Sequence, residues 1–305
     1  MLESLAREVR DQPILLSKMQ GEKVDAVPKG SILVGAGDSY AAALCASYLS
    51  SMRSVAVDPY ELIASPEVSR SRTVVFVSVS GRTRSNIAAA HRVARYATET
   101  IAVTANQDSP LAGAVDRTFI FPYNYRPRTP GMASFPLSLL ACCRLSSPKL
   151  HVSFAKAYAG ARKTSGRLKF SKRGTTFFLG NQALYAVSIY AAAKLYEFFG
   201  ARALCQRLEE FSHMELFSLR RGDAVNIYEG FDPLRIGRGL ANSLRKAGYD
   251  SALADNDEES KPESVFRAVF ATQLAVLRWA GEMKITRPYI SGAKEKLRIS
   301  DSMIY

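Results

Sequence analysis

The sequence predicts an α/β protein made of two tandem domains, each a doubly wound, mostly parallel sheet flanked by helices. Three observations point there. Short β-branched runs alternate with longer alanine-rich segments of helical period. Glycine-bearing turns sit directly between strands and the helices that follow them. The opening of strand, glycine turn and helix occurs twice, as ILVGAGDSYAAALCASYL and as FFLGNQALYAVSIYAAAKL, which suggests a duplication. A chain of 305 residues suits two domains of about 150 residues each.

A leading helix is expected over residues 2–19. Strands follow over 31–35, 54–58, 73–78, 100–104 and 118–121, with helices over 39–50 and 83–96. Between 151 and 173 the pattern becomes a basic helix and linker carrying Arg162, Lys163, Arg167, Lys169, Lys172 and Arg173. The domain boundary is placed here, giving domains 1–150 and 151–305. The second round comprises strand 175–179, helix 182–199, strand 224–229, helix 233–247, strand 249–254 and helix 262–280.

Composition narrows the function. With 47% hydrophobic and 23% charged residues the chain can bury a core, which excludes disorder and fibrous structure. Forty-one Lys+Arg against 28 Asp+Glu leave a net charge of +13, a field that concentrates anions such as phosphorylated metabolites. The six linker cations read as a solvated face, and the roughly 30 residues before the first strand leave no room for a helix-turn-helix module, so no nucleic-acid partner is expected. Cys45, Cys142, Cys143 and Cys205 lack metal or disulfide spacing, and His91, His151 and His213 are widely separated. No metal site is therefore expected, and the setting is a reducing, cytoplasmic one. The first residues do not read as a signal peptide, and the greasy stretch 132–143 is too short to span a bilayer.

Two motifs carry chemistry. Gly35-Ala36-Gly37-Asp38-Ser39 lies between a strand and a helix, where an open α/β sheet leaves its ligand crevice. A dinucleotide fingerprint would need glycine where Tyr40 stands, so no dinucleotide cofactor is implied. Gly37 and Ser39 are candidate sugar contacts, the alternative being a tight turn with Ser39 as helix cap. Ser78-Val79-Ser80-Gly81-Arg82-Thr83 closes a hydrophobic strand just before a helix. Ser78, Ser80, Gly81 and Thr83 can surround a phosphate with hydroxyls and backbone amides, with Arg82 adding a guanidinium.

These residues resemble the sugar isomerase (SIS) domain family, above all the isomerase half of glucosamine-6-phosphate synthase and stand-alone amino-sugar-phosphate deaminases and isomerases. GAGDSYAAA resembles the family's first turn, SVSGRT its SxSGxT phosphate loop, and VTANQDSPLAGAVD the strand and loop that follow. Arg10-Asp11-Gln12-Pro13 is similar to its Gln-Pro opening, and Ala193-Lys194-Leu195-Tyr196-Glu197 to its Lys-Leu-x-Glu helix. His213 follows Glu197 by sixteen residues, as in the related phosphoglucose/phosphomannose isomerases, where a glutamate also stands two residues beyond the histidine, like Glu215. Departures are Thr129 to Ser134 in place of a Ser-Thr-Lys element, Arg82, Met214 after the histidine, and an ambiguous tail lysine, Lys294 or Lys296.

The resemblance implies catalytic Glu197, His213 and Lys194. Glu197 would move a proton between sugar carbons 1 and 2, and His213 would assist ring opening from the neighbouring subunit of a homodimer. It also implies a hexose or amino-hexose 6-phosphate as ligand, Lys294 as a substrate contact and no cofactor. Aldose-ketose isomerisation is the expected reaction. Deamination of glucosamine 6-phosphate and a non-catalytic phosphosugar sensor are the alternatives, and glutamine-dependent amide transfer is not expected.

Overall fold

The computed structural model describes residues 1–124, 129–230, 234–255 and 260–305. They divide into two compact units, each built on one parallel sheet: 16–151 with 293–305, and 1–15 with 152–292. The division falls inside the leading helix α1 (Leu2–Gly21).

In the unit that begins at Leu16, the strands are β1 (Ser31–Gly35), β2 (Ser54–Val57), β3 (Thr73–Val77), β4 (Glu99–Thr104) and β5 (Arg117–Ile120), in spatial order β2-β1-β3-β4-β5. All neighbours are parallel. β1 and β3 are buried along their whole length, as strands covered on both faces must be. Ile32, Val34, Val74, Phe76 and Ala102 form one face of the core with Leu62 of α3 (Pro59–Ala64) and Ala89, Ala90 and Val93 of α4 (Arg84–Val93). α2 (Asp38–Leu49) packs with α5 (Ser134–Ser146) in the same unit. The stretch that is too short for a bilayer is thus mostly the buried helix α5.

The other unit contains α6 (Phe154–Ser165), β6 (Thr176–Leu179), α7 (Ala183–Phe199), β7 (Ala203–Gln206), α8 (Leu208–His213), β8 (Ala224–Glu229), α9 (Ile236–Lys246), β9 (Asp250–Asp255) and α10 (Lys261–Glu282). Its sheet has the order β7-β6-β8-β9, again parallel, so it repeats the first four places of the other sheet. Phe177, Leu179, Val225 and Ile227 pack with Phe211, Ala241 and Leu244 on one face. α10 packs against α6 and α7. A final helix, α11 (Lys294–Ile304), belongs to the unit of the first sheet.

Most expected elements are present within two or three residues at either end. The exceptions are informative. Elements outside the expectations are β7, α3 and α8, which are only four to six residues long and carry too little period to read, and the longer helices α5 and α11. The basic segment 151–173 is a helix only over its first part. The helix expected from 233 begins at Ile236, and residue 233 lies outside the described residues.

Candidate functional site

Strand order decides where ligands can enter. β1 and β3 are neighbours, while β2 lies on the far side of β1 and β4 beyond β3, so chain direction diverges between β1 and β3. An open parallel sheet leaves a crevice at the carboxyl ends of two such strands. Gly35 is in register with Val77, so the Gly35–Ser39 turn and the Ser78–Thr83 loop leave the sheet side by side.

The first turn is tight. A Cβ on Gly35 would lie 2.6 Å from the carbonyl carbon of Ser39, so only glycine lets the helix start that close to the strand. Gly37 is the N-cap of α2, at φ 57° and ψ −129°, and no side chain caps the helix. Ser39 is inside the first turn of α2 and does not cap it.

The second loop folds on its own hydroxyls. Ser78 Oγ and Thr83 Oγ1 lie 3.2 Å apart, Ser80 Oγ accepts from the Arg82 amide at 3.3 Å, and the Gly81 amide donates to the Ser78 carbonyl at 3.1 Å. Thr83 is the N-cap of α4, yet its hydroxyl makes no capping bond. The N-terminus of α4 therefore retains amide donors that the chain itself does not satisfy by a cap. Gly81 has φ +63°, and a Cβ there would lie 2.1 Å from Ser109 Oγ. Thr104 Oγ1 donates to the Val79 carbonyl at 3.1 Å and the Leu111 amide to the Gly81 carbonyl at 3.0 Å, so the segment after β4 buttresses the loop. Asn86, buried in α4, donates to the Val77 carbonyl at 2.9 Å and ties helix to strand. Motif reading did not single out Thr104, Ser109 or Asn86.

Arg84, the first residue of α4, donates to the Ser302 carbonyl of α11 at 3.1 Å. Lys294 is exposed at the other end of α11, eight residues or about 12 Å away along the axis. That bond brings the tail helix to α4 without bringing Lys294 with it.

The carboxylate and histidine belong to the other unit. Tyr190, Lys194 and Glu197 follow one another at positions i, i+4 and i+7, one face of α7. Lys194 is fully buried, and its Nζ donates to Glu197 Oε2 at 2.5 Å, while the Glu197 side chain keeps 24% exposure. A buried ammonium requires such a partner. Two of the three expected catalytic residues are thus joined by an ion pair. His213 ends α8 and is exposed, beside Met214 and Phe217, which are 51% and 84% exposed. Glu215 accepts from Gln206 at 3.1 Å and lies near Cys205, whose thiol is pushed up first by burial and then by that carboxylate. Gln12 is buried in α1 beside Pro13, and neither amide atom has a hydrogen-bond partner among the described residues.

Among the described residues no group of His, Cys, Asp and Glu could hold a metal ion, and no helix is long and apolar enough to cross a membrane.

Residues 28–144 match the SIS domain model. Among curated proteins the sequence has no match. Among solved structures the chain is similar to glucosamine-6-phosphate deaminase of Thermotoga maritima, with a TM-score of 0.73 and 16% identity over 93% of this chain and 95% of that one. It is similar to the C-terminal domain of glucosamine-fructose-6-phosphate aminotransferase of Francisella tularensis, with a TM-score of 0.72 and 17% identity over 94% and 96%. It is also similar to tagatose-6-phosphate ketose/aldose isomerase of Escherichia coli, with a TM-score of 0.71 and 16% identity over 94% and 89%. Residues 28–144 are thus an SIS domain, and the chain as a whole is built on the fold that these sugar-phosphate proteins share.

Proposed function

We propose that this protein is a phosphosugar isomerase that moves a proton between carbons 1 and 2 of a hexose or amino-hexose 6-phosphate, with fructose 6-phosphate as the ketose. The observation that carries the reading is the Ser78–Thr83 loop at the divergence of β1 and β3, with its hydroxyls gathered and the start of α4 uncapped. A phosphate there meets backbone donors and the positive end of the helix dipole. In this reading Ser78, Ser80, Gly81 and Thr83 hold the phosphate, Arg82 adds charge, and Gly37 and Ser39 face the sugar; Lys294, the expected further sugar contact, starts α11 at the end away from its bond to Arg84.

Glu197 takes the proton alpha to the carbonyl of the open-chain sugar and returns it to the neighbouring carbon through an enediol or enolamine. Lys194 keeps that carboxylate company from within the core. His213 assists ring opening, and its exposure beside Met214 and Phe217 suits a homodimer in which it serves the neighbouring subunit. Functionally we divide the chain into a phosphate-binding half, 1–150, and a second SIS domain over 151–305 that carries Glu197 and His213. The setting is cytoplasmic.

The test is proton NMR in heavy water with fructose 6-phosphate and then glucosamine 6-phosphate. Deuterium uptake at carbon 1 or 2 that is lost in Glu197→Gln supports the reading. Release of ammonia from glucosamine 6-phosphate would assign deamination instead. Saturable binding without exchange, abolished by Ser80→Ala, would make the protein a phosphosugar sensor and overturn the enzymatic reading.

A further inference from the structure

Lys194 is held from more than one side. Gln273 of α10 and Tyr190 of α7 are both fully buried, and Gln273 Nε2 donates to Tyr190 Oη at 3.0 Å. The Lys194 ammonium lies 5.0 Å from the centre of the Tyr190 ring, over its face, and donates to Glu197 Oε2 at 2.5 Å. A chain of contacts therefore runs from α10 through the aromatic ring and the ammonium to the carboxylate.

We propose that Tyr190 and Gln273 are positioning residues for Glu197, acting through Lys194. The inference rests on the reading of Glu197 as the base. A fully buried ammonium has few ways to be stabilised. The carboxylate supplies opposite charge, and the negative face of the ring supplies an attraction that strengthens when water is excluded. A phenol ring rotates about its own bonds unless something fixes it. Gln273 fixes it from a different helix, one that packs against α7. Lys194 then has one place to stand, and Glu197 Oε2 is bonded to that place. Geometry of this kind acts on the rate of proton transfer and leaves phosphate binding alone, because the carboxylate must meet the reacting carbon within tenths of an ångström.

The experiment measures deuterium uptake into saturating fructose 6-phosphate and, separately, its dissociation constant, in Tyr190→Phe, Tyr190→Leu, Gln273→Leu and the double variant Tyr190→Phe with Gln273→Leu. Tyr190→Leu, which loses ring and hydroxyl, is expected to lower the exchange rate by roughly tenfold or more with the dissociation constant unchanged. Tyr190→Phe and Gln273→Leu each break the bond between them. They are expected to give smaller losses, and the double variant less than the sum of the two. Tyr228→Phe is the control: it breaks another buried hydroxyl pair reaching α10, Tyr228 with Thr272 at 2.5 Å, and should lower the melting temperature without changing the exchange rate of folded protein.

Exchange that is normal in Tyr190→Phe and Gln273→Leu overturns the positioning role. So does a loss that follows melting temperature, as Tyr228→Phe would then share it. Absence of exchange in the unsubstituted protein with every sugar phosphate overturns the reading of Glu197 as base, and the positioning role falls with it. The two failures are told apart by the unsubstituted protein alone.

Discussion

Gly37 and Gln182 adopt the same backbone conformation, φ 57° with ψ −129° and φ 51° with ψ −128°, although only one of them is glycine. Each is the N-cap of the helix that follows the first strand of its sheet. The glycines two residues earlier also correspond: a Cβ on Gly180 would lie 2.6 Å from the Leu184 carbonyl oxygen, as one on Gly35 would crowd the Ser39 carbonyl. The turn geometry is therefore set by how closely the helix must follow the strand, and the second half meets it with a residue that is strained by it.

Replacing Gln182 with glycine is expected to stabilise the protein by about 1 kcal/mol, because a side chain at positive φ carries a penalty of that order. The reverse change, Gly37→Gln, should cost about as much, since open space around Gly37 leaves only the backbone penalty. Thermal unfolding of the two variants checks both. No rise in melting temperature for Gln182→Gly would mean that contacts of the glutamine outweigh the strain.

Gly81→Ala should distort the Ser78–Thr83 loop, the proposed phosphate site. The methyl group meets Ser109 Oγ at 2.1 Å and Cβ at 2.4 Å, and Ser109 is buried. The clash and the φ of +63° together cost about 2–3 kcal/mol. Binding of fructose 6-phosphate is expected to fall at least about tenfold. Adding Ser109→Gly removes the worst overlap and leaves the backbone penalty and a 3.1 Å contact with Thr104 Oγ1, so it should restore part of the affinity. Isothermal titration of single and double variants measures the difference.

What the sequence makes visible follows from the range of the interactions. The strand, loop and helix around Ser78–Thr83 and the placement of Lys194 and Glu197 on one helix are legible because spacing along one loop or one helix fixes them; the ion pair between those two side chains is a finding of the structure. Buttressing of the loop by Thr104 and Ser109 is not, because parallel pairing of β3 with β4 brings together residues about 25 apart. Gln273 is further still from Tyr190, and a glutamine within an apolar helix gives no local sign of its partner. The short strand β7 escapes for a different reason: four residues give too few alternations to establish a period.

Thiol reactivity should separate the four cysteines. Burial pushes the Cys142 thiol up to about 12 and those of Cys45 and Cys143 upward as well, with neighbouring thiols of the same cluster adding to the last two. At pH 8 a thiol of that kind is ionised in about one molecule in 10⁴. Cys205 is only partly buried. Maleimide is therefore expected to label Cys205 alone in native protein and all four in denaturant, which intact-mass spectrometry reads directly.

Asp116 gives a pH dependence of known sign. The Thr100 hydroxyl and amide both donate to Asp116 Oδ2 at 2.7 Å, and these bonds hold its carboxyl below the ordinary 3.8. A depressed native value contributes stability above the unfolded value that is lost as pH falls through the native one. The carboxylate is exposed, so the contribution is below about 1 kcal/mol. Asp116→Asn should lower the melting temperature at pH 7 and flatten its fall below pH 4.

The ion pair within α7 separates stability from chemistry. Glu197→Gln leaves the fully buried Lys194 ammonium without its partner's charge, a change that costs about 3 kcal/mol or more in a buried site. On the proposed reading, loss of activity in that variant thus has two sources, a missing base and a weakened fold. Lys194→Met with Glu197→Gln removes both charges and keeps the side-chain lengths, so most of the stability should return while proton exchange stays absent. Lys194→Met alone leaves a carboxylate that still reaches solvent, and it should be less destabilising than Glu197→Gln. Urea unfolding ranks the three, and heavy-water exchange at matched folded fraction isolates the chemistry. If the double variant is as unstable as Glu197→Gln, the pair is not what holds this end of α7. If it regains exchange along with stability, Glu197 is not the base.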